Sequence, residues 1–179
     1  DEAIASSYQL SKAKFGLAEV DARTGRLEEA EAFYREALDI SKRGGEKTFA
    51  EAHAGLGIIL IDADKWPEAT EHITEARKAN GGYWPGIYGE ARILIHDKKL
   101  DKAKSQLDFG ASRRGVGQGE DLYHRGLAIY YLAANDLKAA ETEALNALHL
   151  NPSDPRHGKL VATVYEKRNV PALAINACE

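Results

Sequence analysis

The side chains with which this 179-residue chain could do chemistry are six histidines, one cysteine and 28 carboxylates. His53, His72, His96, His124, His149 and His157 include no pair three or four residues apart. That is the spacing that puts two ligands on one helical face, so no local helical zinc site is encoded and no metal is expected. The lone cysteine, Cys178, has no intrachain partner for a disulfide, and a reducing cytosol and a bacterial periplasm are both compatible with it. The glycines of GASRRGVGQGE, residues 110–120, lack the spacing and the Lys-Ser/Thr pair that grip a phosphate, and no nucleophile elbow occurs. Glu28, Glu29, Glu31 and Glu36 fall on helix positions that a solvated face explains. The chain is expected not to be an enzyme and to need no cofactor.

The elements that carry these residues are helical. In Gly126–Pro155 a helix to about Ala134, a turn at Asn135–Asp136, a second helix from Leu137 to about His149 and a stop at Asn151–Pro152 follow one another. Ala128, Ala140 and Ala147 mark close approach, while Leu127, Tyr131, Leu137 and Leu145 supply bulk. One such hairpin cannot bury both apolar faces alone and requires stacked neighbours. Ala140 has counterparts in Ala30, Ala69, Ala103 and Ala174, at intervals of 39, 34, 37 and 34 residues.

A base period of 34 with this residue pattern resembles the tetratricopeptide repeat family. The best unit places Leu127, Ala128, Tyr131, Ala140, Ala147 and Pro152 at repeat positions 7, 8, 11, 20, 27 and 32. The resemblance implies an all-α fold, a right-handed α-α superhelix of stacked helix-turn-helix units. The repeats are expected at 11–44, 50–83, 84–117 and 121–154, with a partial fifth over 155–179, in a single array over residues 1–179. Residues 1–23 read as one long helix with Ile4, Tyr8, Leu10, Phe15, Leu17, Ala18 and Val20 among its apolar positions. Its first ten residues are either the end of a preceding repeat's second helix, the reading we favour, or a helical extension. The third repeat is expected to end early at Gly110, before a flexible linker to Glu120. Cys178 falls at position 24, a packing position. The fifth unit stops at position 25, as in a segment of a longer array or one whose ends another subunit covers. The chain has no methionine, and its start is expected to result from processing or design.

Charge narrows the partners. With 24 basic and 28 acidic residues there is no electrostatic footprint for nucleic acid. No window of 18 consecutive apolar residues exists, so no membrane span is expected. The resemblance implies a protein or peptide partner in a concave groove lined by the first helices, at positions 2, 5, 9, 12 and 13. On this chain the partner-binding residues are expected to be Ile58, Asp62, Tyr88, Arg92, His96, Arg125, Ile129 and Lys159. Arg92 and Arg125 would pair with carboxylates, and Tyr88 with the isoleucines would hold an apolar anchor. Acidic Glu19, Glu51 and Asp62 precede basic Arg92, Arg125, Arg156 and Lys159. The two-carboxylate clamp of the family's chaperone-binding members is absent, since Phe15, Glu19, Gly55, Pro85 and Gly89 stand in its places. The alternatives are a self-associating structural scaffold, a homo-oligomer through the chain ends, and the interaction arm of a larger enzyme.

Overall fold

The structure is a computed structural model that describes residues 2–45, 49–113 and 119–170. Among them it has nine helices and no strand: α1 (Glu2–Arg23), α2 (Leu27–Arg43), α3 (Ala50–Asp62), α4 (Trp66–Ala79), α5 (Trp84–His96), α6 (Leu100–Arg113), α7 (Glu120–Ala133), α8 (Leu137–Leu150) and α9 (Pro155–Lys167). Ala174, Cys178 and the second helix expected for the fifth unit lie outside the described residues, as do 46–48 and 114–118 in the two expected loops.

The helix pairs are closed by one recurring device. Repeat position 15 is left-handed in all five turns, at Gly25 (φ 82°), Asp64 (58°), Lys98 (62°), Asn135 (61°) and Asn169 (56°). The next residue then donates its N–H five residues back: Arg26 to Asp21, Lys65 to Leu60, Lys99 to Leu94, Asp136 to Tyr131 and Val170 to Tyr165. This satisfies carbonyls that a helix end would otherwise strand. Gly, Asn and Asp tolerate the left-handed region best, so four of the five turns are written in residue type.

The chain divides into two compact units, Asp1–Glu90 and Ala91–Glu179. In the first, α1 packs on α2, α2 on α3 and α3 on α4, and α1 also touches α3. Ala30, Tyr34 and Ala37 of α2 are buried, and α3 is buried on nearly every side from Ala50 to Ile61. Tight approach depends on glycine: a Cβ at Gly55 would overlap the Tyr34 ring, and one at Gly57 would lie 2.6 Å from Ile73 Cδ1. In the second unit α7 packs on α8 and α8 on α9, with Ala128, Ala140, Ala144, Val161 and Val164 as the core cluster.

Residues 2–10 prolong α1 as one continuous helix. Two expectations are revised. Gly110 lies inside α6 and is buried; it occupies position 27, where Ala37, Ala76 and Ala147 are also wholly buried, so it is a packing residue and not a stop. Leu145, read as core bulk, is 40% exposed.

Candidate partner-binding faces

In the first unit, positions 2, 5 and 9 of α1 put Lys12, Phe15 and Glu19 on a helical stripe, and α3 sets Glu51 beside it. Lys12 Nζ stands 3.8 Å from Glu51 Oε1 and 4.2 Å from the centre of the Phe49 ring. Phe15 is wedged between Phe49 and Tyr34, at ring-centre distances of 5.3 and 6.1 Å. The Tyr34 hydroxyl donates to Glu19 Oε1, a reach the missing side chain of Gly55 leaves open. Burial, and then the charges of Glu19 and Glu51, push the Tyr83 hydroxyl above its ordinary pKa. The result is a half-exposed acidic patch set among aromatic rings.

The expected site residues of this unit are placed unevenly. Asp62 is half-buried at the end of α3, whereas Ile58 is buried and Tyr88 is wholly inside, its ring 6.3 Å from that of Trp84. A partner resting here would touch neighbours of Ile58 and Tyr88, because both are already covered by protein.

In the second unit Arg92 and Ile129 are half-buried, and His96 and Lys159 are exposed. His96 Nδ1 lies 3.5 Å from Asp97, whose carboxyl is held below its usual pKa first by a hydrogen bond from Lys99. Arg125 is buried, contrary to its expected place on the partner surface. Near it, wholly buried His157 donates from Nδ1 to the Asn151 carbonyl at 3.0 Å, and Asn151 donates from Nδ2 to Asp121 at 3.2 Å. Burial, aided by the Arg125 charge, lowers the His157 pKa and so keeps the ring neutral. Asp154 caps α9 by accepting from the Arg156 N–H at 3.0 Å. Its burial favours the acid form, but Arg156, with Nη2 2.6 Å from Oδ2, outweighs that and lowers the pKa.

One arrangement the residue pattern did not announce is a histidine pair. His53 on α3 and His72 on α4 meet Nδ1 to Nδ1 at 2.8 Å, one ring donating to the other. They border a hollow of about 530 Å³ between α2, α3 and α4, lined also by Arg35, Leu38, Phe49 and Glu75. Among the described residues no three His, Cys, Asp or Glu side chains are placed to hold a metal ion. The signal lay in the repeat: the rings occupy positions 4 and 23, and His124 meets Glu143 from the same two positions.

Helix pairs closed by one recurring left-handed turn define an all-α helical repeat protein. Residues 9–80 match the model of the tetratricopeptide repeat. Over those residues, two fifths of its length, the chain resembles the tetratricopeptide repeat family. Among solved structures it is similar to a thermophilic tetratricopeptide repeat protein of Thermus thermophilus, with 17% identity, a TM-score of 0.65, and coverage of 93% of this chain and 87% of that one. Pseudomonas aeruginosa pilF matches at 19% identity and a TM-score of 0.58, over 97% of this chain and 77% of that one. A chain of the APC/C hetero-tetramer Cut9–Hcn1 matches at 17% identity and a TM-score of 0.63, over 94% of this chain and 32% of that one. These likenesses show the fold, an all-α helical repeat superhelix. No curated protein matches the sequence significantly.

Proposed function

We propose that the chain is a non-catalytic scaffold that holds a partner protein or peptide on the faces built by its first helices. The family is generally non-catalytic and its fold is that of a protein-interaction scaffold. Among the described residues no helix is long and apolar enough to cross a membrane. The observation that carries the reading is the patch of Glu19 and Glu51 against the rings of Phe15, Phe49 and Tyr34. Two half-buried carboxylates, one of them already facing Lys12, beside the half-buried ring of Phe15 suit a cationic side chain flanked by an apolar one. In the second unit, Arg92, His96 and Lys159 supply the complementary preference for carboxylates, with half-buried Ile129 as apolar support.

Fluorescence anisotropy with two labelled decapeptides, one rich in Arg and Phe and one rich in Glu and Phe, tests the first patch. Wild-type protein should bind the basic peptide, and Glu19→Gln with Glu51→Gln should weaken it at least tenfold, since Gln still accepts from Tyr34 and leaves the helices intact. Equal affinity of the double variant for the basic peptide would remove the patch from the account. Charge reversal at Arg92 and Lys159 should weaken the acidic peptide alone.

A further inference from the structure

The repeat supplies its own standard for what a first helix should bury. Position 0 and positions 3, 7 and 10 are Phe49, Ala52, Leu56 and Ile59 on α3, and all four are buried. The face they belong to is the one that meets the preceding second helix. A Cβ at Gly86, position 3 of the third repeat, would touch Ala76 and Arg77 of α4, and Glu90 at position 7 takes a 2.7 Å bond from Arg77. In the second unit His157, Val161 and Val164 fill positions 3, 7 and 10 of α9 and are buried, the two valines in one core cluster with Ala140 and Ala144 of α8.

On α1 the same places hold Leu10, Ala13, Leu17 and Val20, and Leu10, Leu17 and Val20 are 50%, 49% and 55% exposed. They lie opposite the side that rests on α2, where Ser11, Ala18 and Ala22 are buried. The stripe continues without a charge through Ser6, Gln9, Gly16 and Thr24, all exposed, over a rise of about 27 Å. A Cβ at Gly16 would meet nothing within 4 Å, so the middle of the stripe is a shallow trough. At its border Lys14 lies 2.7 Å from Glu36 and Asp21 accepts from Arg26, while Arg23 is exposed. A stripe without charge, carrying three large exposed apolar side chains, has the composition of an interface core.

The spacing says what fits. Leu10, Leu17 and Thr24 are seven apart, as are Ser6, Ala13 and Val20, which together form a heptad seam. Laid antiparallel on itself, the seam has a register in which every layer is complementary: Ser6 faces Thr24, Leu10 faces Val20 and Ala13 faces Leu17 of the other helix. Polar ends meet polar ends, and small Ala13 meets large Leu17. We propose that this outer stripe of α1 is a twofold seam that seats α1 of a second copy of the chain. It lies on a different side of α1 from the peptide-binding patch and does not depend on it. A seam of one helix against one helix buries less than the roughly 800 Å² per partner of a standard interface, so the dimer is a weak one.

Sedimentation equilibrium from about 1 μM to about 500 μM, a range suited to a weak complex, is the first measurement. The average mass should rise from 19.6 kDa towards twice that value. Leu17→Lys, a change at an exposed site, should hold the protein monomeric at every concentration with an unchanged helical spectrum. The register is read by cysteine pairs in a Cys178→Ser background: a mixture of Ala13→Cys and Leu17→Cys chains should form the mixed disulfide on oxidation, in preference to either homodisulfide. A constant monomer mass, a dimer that survives Leu17→Lys, or cross-linking of Ala13→Cys chains only to themselves would each overturn the proposal. Capture of a different protein by a chain that stays monomeric would do the same.

Discussion

Repeats two and four bring the same pairs of positions together and fill them with different chemistry. At positions 4 and 23, repeat two sets His53 against His72 at 2.8 Å, and repeat four sets His124 against Glu143 at 2.5 Å. At positions 8 and 24, repeat two opposes Gly57 to the buried bulk of Ile73, and repeat four opposes Ala128 to Ala144. The separation between paired helices is set by the sum of what the two positions contribute. Volume and charge can therefore be divided between them in more than one way, and the division decides how each pair responds to substitution and to pH.

The largest effect is expected where α3 and α4 approach most closely. Gly57→Ala puts a Cβ 2.6 Å from Ile73 Cδ1 and 2.8 Å from Cγ1, and Ile73 is held from its other side by Gly89. Overpacking of this kind should cost about 2 kcal/mol, partly offset by the better helix propensity of alanine. Ile73→Ala alone should also destabilise, by about 2–4 kcal/mol through the cavity it leaves. The two together reproduce the Ala128–Ala144 arrangement, so the double variant should be more stable than the sum of the single losses by at least about 1 kcal/mol. Urea denaturation of the four proteins measures this, and strict additivity would mean that the two positions do not share one space.

The pH response comes next in size. Burial, reinforced by His72, lowers the His53 pKa to about 4, and burial likewise lowers His72, although Glu68, Glu71 and Glu75 pull it the other way. Unfolded imidazoles take up protons near pH 6.5, so below that value the unfolded chain binds more protons than the folded one. Stability contributed by the neutral pair is therefore fully present above about pH 6.5 and is lost as the pH falls towards 4. The loss should be on the order of 1–2 kcal/mol once the partial exposure of the rings is allowed for. His72→Glu gives repeat two the histidine–carboxylate contact of repeat four and should cut the acid slope by about half; His157 and Asp154, whose pKa values are also lowered, contribute to the remainder. Denaturation midpoints at pH 7.5 and 4.5 for both proteins decide it, and an unchanged slope would place the acid sensitivity elsewhere.

The sequence shows the helix pairs because their constraints recur at fixed places. Alanines at positions 20 and 27 and the turn residues Gly25, Asp64, Asn135 and Asn169 each answer to one geometric demand, so residue type reveals it. Lys98 makes the same left-handed turn without a residue type that signals it. Gly110 misled because a glycine serves either to stop a helix or to let another helix approach, and only its repeat position tells which. The site was less legible. Helical angle assigns Ile58, Tyr88 and Arg125 to one side of a first helix but does not say how far neighbouring side chains close over that side, and all three are covered. The same holds in reverse for Leu10, Leu17 and Val20, which are apolar by type and exposed because nothing in the described chain lies over them.

The smallest effect is expected at the helix starts. In repeat four, Asp136 caps α8 by accepting from the Ala139 N–H at 3.0 Å, whereas α4 of repeat two begins at Lys65 with no side-chain cap. Pro67 has no N–H to offer, which leaves that of Glu68, at the position equivalent to Ala139, as the donor a cap would serve. Lys65→Asn should therefore gain about 1 kcal/mol from capping. It should lose a few tenths from the half-exposed contact of Lys65 with Glu31 at 3.1 Å, because Glu31 keeps Arg35 at 2.8 Å. A net gain of about 0.5 kcal/mol, read as a higher denaturation midpoint, is expected. A net loss would mean that the ion-paired lysine outweighs a cap, and that repeat two secures the start of its second helix through its neighbour α2, where repeat four does so through its own turn.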